Sequence, residues 1–196
     1  TYRYPTAYSG QQQVTITLKN ATKGIWKIRL RGEYITNGIY NAYLPNKALI
    51  NPGTKFRDSV PSQTVNYPST YNDVISVGAY NIIDNSIWPS SSRGPTINGL
   101  LRPDIVAPGV NIISTYPGNS YATITGTAVA AAHVTGAVAL YFQYTLADRY
   151  YTQKAFTTMV RTYLHGGARR IQGITYPNEI YGYGELDIRG SFDQLK

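Results

Sequence analysis

Ile124-Thr125-Gly126-Thr127-Ala128-Val129-Ala130-Ala131-Ala132-His133-Val134-Thr135-Gly136-Ala137-Val138-Ala139-Leu140 is the stretch from which the fold is read. A glycine and a threonine lead into a long run of small and apolar residues, which predicts the start of a buried helix. Ala128, Ala131, Ala132, Gly136 and Ala139 are too small to fill a core alone, so they admit neighbouring backbone on more than one side. A loop opening into such a helix also aims unpaired N–H groups and a positive dipole end at whatever precedes it. That end suits a developing negative charge.

Working outward, Asp73-Val74-Ile75-Ser76-Val77-Gly78-Ala79-Tyr80 is a short apolar run that fits a buried parallel strand, and Asp104-Ile105-Val106-Ala107-Pro108-Gly109-Val110 fits a strand end turned by Pro-Gly. Between them lies Ser91-Ser92-Arg93-Gly94, and further on Tyr181-Gly182-Tyr183-Gly184-Glu185-Leu186-Asp187. Phe156, Met159, Val160 and Tyr163 recur at helical spacing in a stretch from Tyr150 to Leu164, and Gly166-Gly167 reads as its stop.

In this order the segments resemble the subtilisin-like serine peptidases, over about residues 66 to 190. The helix-opening stretch is similar to that family's nucleophile segment, Gly-Thr-Ser, small residues, then His-Val-x-Gly. The resemblance implies an α/β fold, the C-terminal portion of a doubly wound parallel sheet, and hydrolysis of peptide bonds through an acyl-enzyme. It places Ala128 at the nucleophilic serine position, with its backbone N–H turned to an oxyanion hole and Thr125, Gly126 and Thr127 along the substrate. An alanine methyl cannot attack a carbonyl, so a chain with Ala128 is expected to be an inactive endopeptidase. Two explanations stand: an engineered serine-to-alanine change, or a natural pseudopeptidase that serves as a binding or regulatory module.

A triad needs a nucleophile, a base and a carboxylate that orients the base. His133 lies five residues beyond Ala128, about 140° round a helix, and reads as a packed helix histidine rather than a base. His165 reads as a helix-end histidine suited to the negative end of the preceding helix. Asp58 lacks the family's glycine context, and Asp73, Asp104 and Asp187 fall in structural matches. The resemblance therefore puts the catalytic Asp, the catalytic His, the oxyanion Asn and the walls of the pocket for the residue before the scissile bond upstream of this chain. It implies a companion N-terminal chain of the same peptidase, a protein or peptide substrate, and a propeptide as a further partner.

Residues 1–50 read differently. Val14, Ile16 and Leu18 alternate with Thr15, Thr17 and Lys19, and Trp26, Ile28 and Leu30 alternate with Lys27, Arg29 and Arg31, the period of half-buried strands. Asn20 to Gly24 is expected to join them as a hairpin, and Asn37-Gly38 marks a second tight turn. Residues 24–34 and 38–45 resemble the end of an inserted antiparallel β-sandwich in the Csp-type, germination-specific peptidases of clostridia. Residues 51–196 are then the peptidase part, after a return through the loop-rich stretch from Pro52 to Pro68. Subgroup resemblance implies a secreted or spore-associated protein.

Composition bounds the rest. The chain of 196 residues is 42% hydrophobic and 14% charged, as a globular protein is. No apolar run is long enough to span a bilayer, and with no cysteine there are no disulfides or thiol ligands. The formal charge of +8 comes from scattered Lys and Arg, with local concentrations at Lys27, Arg29 and Arg31 and at Arg161, Arg169 and Arg170. No recognition motif accompanies them, so they are assigned to a solvated face or an anionic surface and not to nucleic acid. Nineteen tyrosines suit strands and partly wet interfaces. Nothing has metal-ligand spacing or a phosphate-cradling loop, and no cofactor is expected.

Overall fold

The structure is a computed structural model that describes residues 14–35, 38–45, 49–147 and 157–195. The chain divides into two units, Thr1–Thr54 and Lys55–Lys196.

In the second unit the two apolar runs become β1 (Val77–Tyr80) and β2 (Ile105–Pro108). They pair in parallel with Val77 opposite Ile105. Parallel strands are buried on both faces, which explains why neither run alternates. The sheet continues beyond β2, where Val106 bridges in parallel to Glu185 and Glu185 bridges antiparallel to Arg169. An antiparallel hairpin follows β2, formed by β3 (Ile112–Tyr116) and β4 (Ser120–Ile124), with Ile112 opposite Ile124. Helix α1 (Thr127–Phe142) then packs on β1 and β2, and the chain winds on through a π-helical turn at Gln143–Ala147. Helices α2 (Thr157–Gly167) and α3 (Ile188–Asp193) pack on each other. The core joins Ala79, Ile105 and Ala107 of the sheet to Ala130, Val134 and Tyr141 of α1 and to Val160 and Leu164 of α2. This is an α/β architecture with the helix-opening stretch at the end of β2.

Two expectations for the helices change. Helix α1 buries one face only: Ala130, Val134, Ala137 and Tyr141 are buried, spaced by three or four residues. Ala128, Ala132, Gly136 and Ala139 are exposed. The small outer residues thus admit no backbone from the described residues of this chain. The glycines at the end of α2 lie inside it rather than beyond it, because the helix closes at Gly167. A Cβ on Gly167 would run into the backbone of Gly190 and Ser191, so the missing side chain lets α3 close on the end of α2. Phe156 and the start of the predicted helix lie outside the described residues.

In the first unit the chain turns at Lys19 and Asn20, where Asn20 adopts φ 54°, yet no strand forms among its described residues. Neither alternating set is covered, as Ile16, Trp26 and Ile28 are 52%, 55% and 62% exposed. A lone hairpin with no third strand or helix against it is marginal. Asn37, in the second predicted turn, lies outside the described residues.

Candidate functional site

The site is built where β2 ends and α1 begins. Gly109 follows β2, and a Cβ there would sit 2.7 Å from the Ala79 Cβ and 2.8 Å from the Gly126 carbonyl oxygen. Only glycine lets the strand end and the helix start approach this closely. The Gly126 N–H donates to the Gly109 carbonyl at 2.8 Å, and the Gly126 carbonyl accepts from the N–H groups of Val129 (3.2 Å) and Ala130 (3.3 Å). Gly126 is the helix N-cap in a fully extended conformation, φ 162° and ψ 162°, with no side chain to cap the helix. One residue before it, the Thr125 hydroxyl accepts from the Asn111 N–H at 2.9 Å and faces the Asn111 amide oxygen at 3.4 Å. Asn111 itself takes φ 55°. Residues 125 to 128 are thereby held by the strand they leave.

Ala128 lies exposed in the first turn of α1, where helix geometry leaves N–H groups without intrahelical acceptors. No acidic side chain occupies that turn, so the dipole end is open to an anion. Beside it lies a recess of about 230 Å³ lined by Asn66, Tyr67, Ser69, Ser76, Pro103 and Thr127 among others. The resemblance puts the pocket walls upstream of this chain, and residues 62–72 carry no periodicity that marks a wall here. The one signal was its place directly before the β1 run.

The two histidines do not meet the site. His133 is exposed, with Nδ1 3.1 Å from the Val129 carbonyl oxygen, so it is not packed as expected; it stands on the face of α1 that this chain leaves open. His165 sits in the last turn of α2, stacked on Tyr183 at 3.7 Å and 6°. Burial, then the Arg161 and Arg102 guanidiniums, lowers its pKa to about 4. The ring is neutral at pH 7 and does not act as a cation on the helix dipole. Its Nε2 is 3.7 Å from Asp104 Oδ1, which at that charge state is a contact and not an ion pair.

Asp104 is the centre of a buried cluster. Its Oδ1 accepts from Arg102 at 2.8 Å and lies 3.4 Å from Arg161 Nε, and its Oδ2 accepts the Ser76 N–H at 2.7 Å. Burial raises the pKa of this carboxyl, opposed by the Ser76 N–H and by the Arg102 and Arg161 guanidiniums. Arg169 likewise pairs with the fully buried Glu185 through Nε at 2.7 Å. Two of the three C-terminal arginines assigned to a solvated face therefore serve buried carboxylates. Asp187 caps α3 by accepting the Gly190 N–H at 2.9 Å. Among the described residues no group of three or more His, Cys, Asp or Glu could hold a metal ion, and no helix is long and apolar enough to cross a membrane.

A helix dipole that opens beside a recess at the carboxyl end of a parallel strand is the arrangement of α/β domains that bind a ligand there. The particular family follows from comparison. Residues 46–184 match the Subtilase family, and the chain belongs to it. Subtilisin DY of Bacillus licheniformis is 29% identical over 157 residues, covering 80% of this chain and 51% of that protein. The Major intracellular serine protease of Bacillus subtilis (strain 168) is 36% identical over 112 residues, 57% of this chain and 32% of its own length. Among solved structures the CspB protease of Clostridium perfringens superposes with a TM-score of 0.68 at 36% identity, covering 72% of this chain and 31% of that one. The prenylagaramide maturation protease PagA, at 21% identity and TM-score 0.57, shares the fold. The chain spans about half or less of the length of these relatives.

Proposed function

We propose that this chain is the nucleophile-bearing, C-terminal part of a Csp-type subtilisin-like serine endopeptidase, inactive as it stands because Ala128 occupies the serine position. The observation that carries the reading is the exposed Ala128 on an open helix N-terminus, with Thr127 lining the adjoining recess. A serine there would attack the scissile carbonyl carbon while a histidine of a companion N-terminal chain takes its proton and an aspartate orients that histidine. The N–H of residue 128 and an asparagine of the companion would hold the oxyanion. That N–H belongs to the backbone and survives the alanine. The recess is read as taking a substrate side chain, so part of its wall is on this chain after all.

The companion chain is supported by what α1 leaves uncovered. An apolar helix with one buried face belongs in a larger core, and a groove of about 260 Å³ lies between Ile75 and Val77 of the sheet side and Ala131, Val134 and Val138 of α1. Residues 1–50 are read as the end of an inserted β-sandwich and residues 51–196 as the peptidase part of a secreted or spore-associated protein, from the resemblance of residues 24–34 and 38–45 to the Csp-type peptidases. A propeptide would be a further partner. The second reading, a pseudopeptidase used as a binding module, is favoured by Ala128 itself.

One experiment separates them. Ala128→Ser in the full-length protein is assayed on mixed unlabelled peptides and with a serine-directed fluorophosphonate, beside the alanine form. The serine form is expected to cleave and label while the alanine form does neither; a folded serine form that stays inert supports the binding module.

A further inference from the structure

The wall of the recess has no regular structure of its own. Between Asn66 and Ser76 its local ties are two turn bonds, Ser69 N–H to the Asn66 carbonyl (3.0 Å) and Tyr71 N–H to the Pro68 carbonyl (3.0 Å). At its far end the Ser76 carbonyl accepts the backbone N–H of Asp104 at 2.8 Å, and the side-chain hydrogen bonds to this backbone come from three charged side chains distant in sequence. Arg102 donates to the carbonyls of Ser69 (3.0 Å) and Tyr71 (2.6 Å). Arg161, reaching across from α2, donates to the carbonyls of Asn72 and Val74, the latter at 2.7 Å. Asp104 accepts the Ser76 N–H at 2.7 Å and lies against both guanidiniums. Four carbonyls and one amide of a single loop thus converge on one ion cluster, and Ser69 and Ser76 of that loop line the recess.

An Arg–Asp–Arg cluster that served stability alone could take its remaining hydrogen bonds anywhere. Here they all go to the loop beside the site, apart from one Arg102 bond to its own neighbour Leu101. The guanidinium suits the task because its donors are held in a fixed plane, so two carbonyls are set relative to one carboxylate. We propose that Arg161 is a positioning residue: with Arg102 and Asp104 it sets the shape of the Asn66–Ser76 wall, and thereby which side chain the recess accepts. Selectivity at the site is in this way written partly in α2, which starts at Thr157, 29 residues after Ala128 in the chain. The proposal rests on the reading of the recess as a side-chain pocket.

The test uses the full-length protein in its Ala128 form, which binds without turnover. Affinities are measured for a panel of peptides that differ only at the residue seated in the recess, in the parent, in Arg161→Met and in Arg161→Lys, together with amide exchange over residues 67–76. Arg161→Met leaves Arg102 on Asp104, and it is expected to change the ratio of best to worst peptide by about tenfold and to speed exchange at the Ser76 amide, whose acceptor Asp104 faces Arg161. Arg161→Lys, which keeps the charge but reaches one carbonyl in place of two, is expected to return part of the parental ratio. A folded methionine variant that loses thermal stability but keeps the parental ratio shows a staple and nothing more, and overturns the proposal. If the methionine variant does not fold, an unchanged ratio in the lysine variant overturns it equally. A parent that binds none of the peptides sinks the reading of the recess itself, and the proposal with it.

Discussion

Residues 14–31 and residues 73–80 carry comparably clear strand patterns, and only the second becomes a strand. β1 has β2 on one edge, α1 on a face, and the Ser91 hydroxyl accepting the Ala79 N–H at 3.1 Å near its end. Ile16, Trp26 and Ile28 stay more than half exposed among the described residues. Side-chain period records which face a strand would bury; it does not supply the surface to bury it against. The second unit answers that need from its own residues, down to the ion cluster at Asp104, and the first does not.

The sharpest way to test this contrast is to remove the centre of the cluster. Asp104→Ala leaves Arg102 buried and uncompensated, and is expected to lower the unfolding free energy by about 3–5 kcal/mol, read from denaturant midpoints of the full-length protein; a loss below about 1 kcal/mol would mean that solvent reaches the arginines.

Acid should probe the same region less severely. The neutral His165 ring is favoured in the fold, with a pKa of about 4 against an ordinary 6.5, so the unfolded chain takes up its proton first. The stability this confers is present above pH 6.5 and is lost as the pH falls towards 4, to a total of about 3 kcal/mol. Arg102, Arg161 and Asp104 face the ring, and the raised Asp104 carboxyl acts in the opposite sense, binding its proton sooner in the fold. His165→Phe keeps the stack on Tyr183 and removes only the histidine's part. Stability curves of parent and variant should therefore diverge between pH 6.5 and pH 4, the parent falling more steeply, and parallel curves would show that the ring is not buried neutral.

The smallest effect is expected in the first unit. Ile28→Thr should shift the stability of this chain by less than about 0.5 kcal/mol, as for any exposed side chain. A loss beyond about 1 kcal/mol in urea titration would break the comparison, since it would reveal a packed sheet over residues 14–31.

What was legible in the sequence follows the same division. β1, β2 and the start of α1 could be read because their apolar runs are contiguous and their burial comes from one another. The outer face of α1 could not, because a helix that is small and apolar all round gives no sign of which neighbours are on the same chain; hence His133, expected to pack, is exposed. Gly166 and Gly167 read as a stop by composition, whereas their role depends on α3, more than twenty residues later. The recess wall is the hardest case. Asn66 to Ser76 takes its shape from arginines at 102 and 161, and no local pattern in residues 62–72 records a partner that far away.

The hydrogen bond from the Gly126 amide to the Gly109 carbonyl joins the end of β2 to the start of α1 directly, so everything from Val110 to Thr125 is an excursion whose two ends are already fastened together. An excursion closed at its base can lengthen, shorten or be exchanged at little conformational cost to what lies below it. The exposed hairpin of β3 and β4 is thus an interchangeable part: relatives can diversify it, and an engineer can graft onto it, while the helix mouth stays where it is.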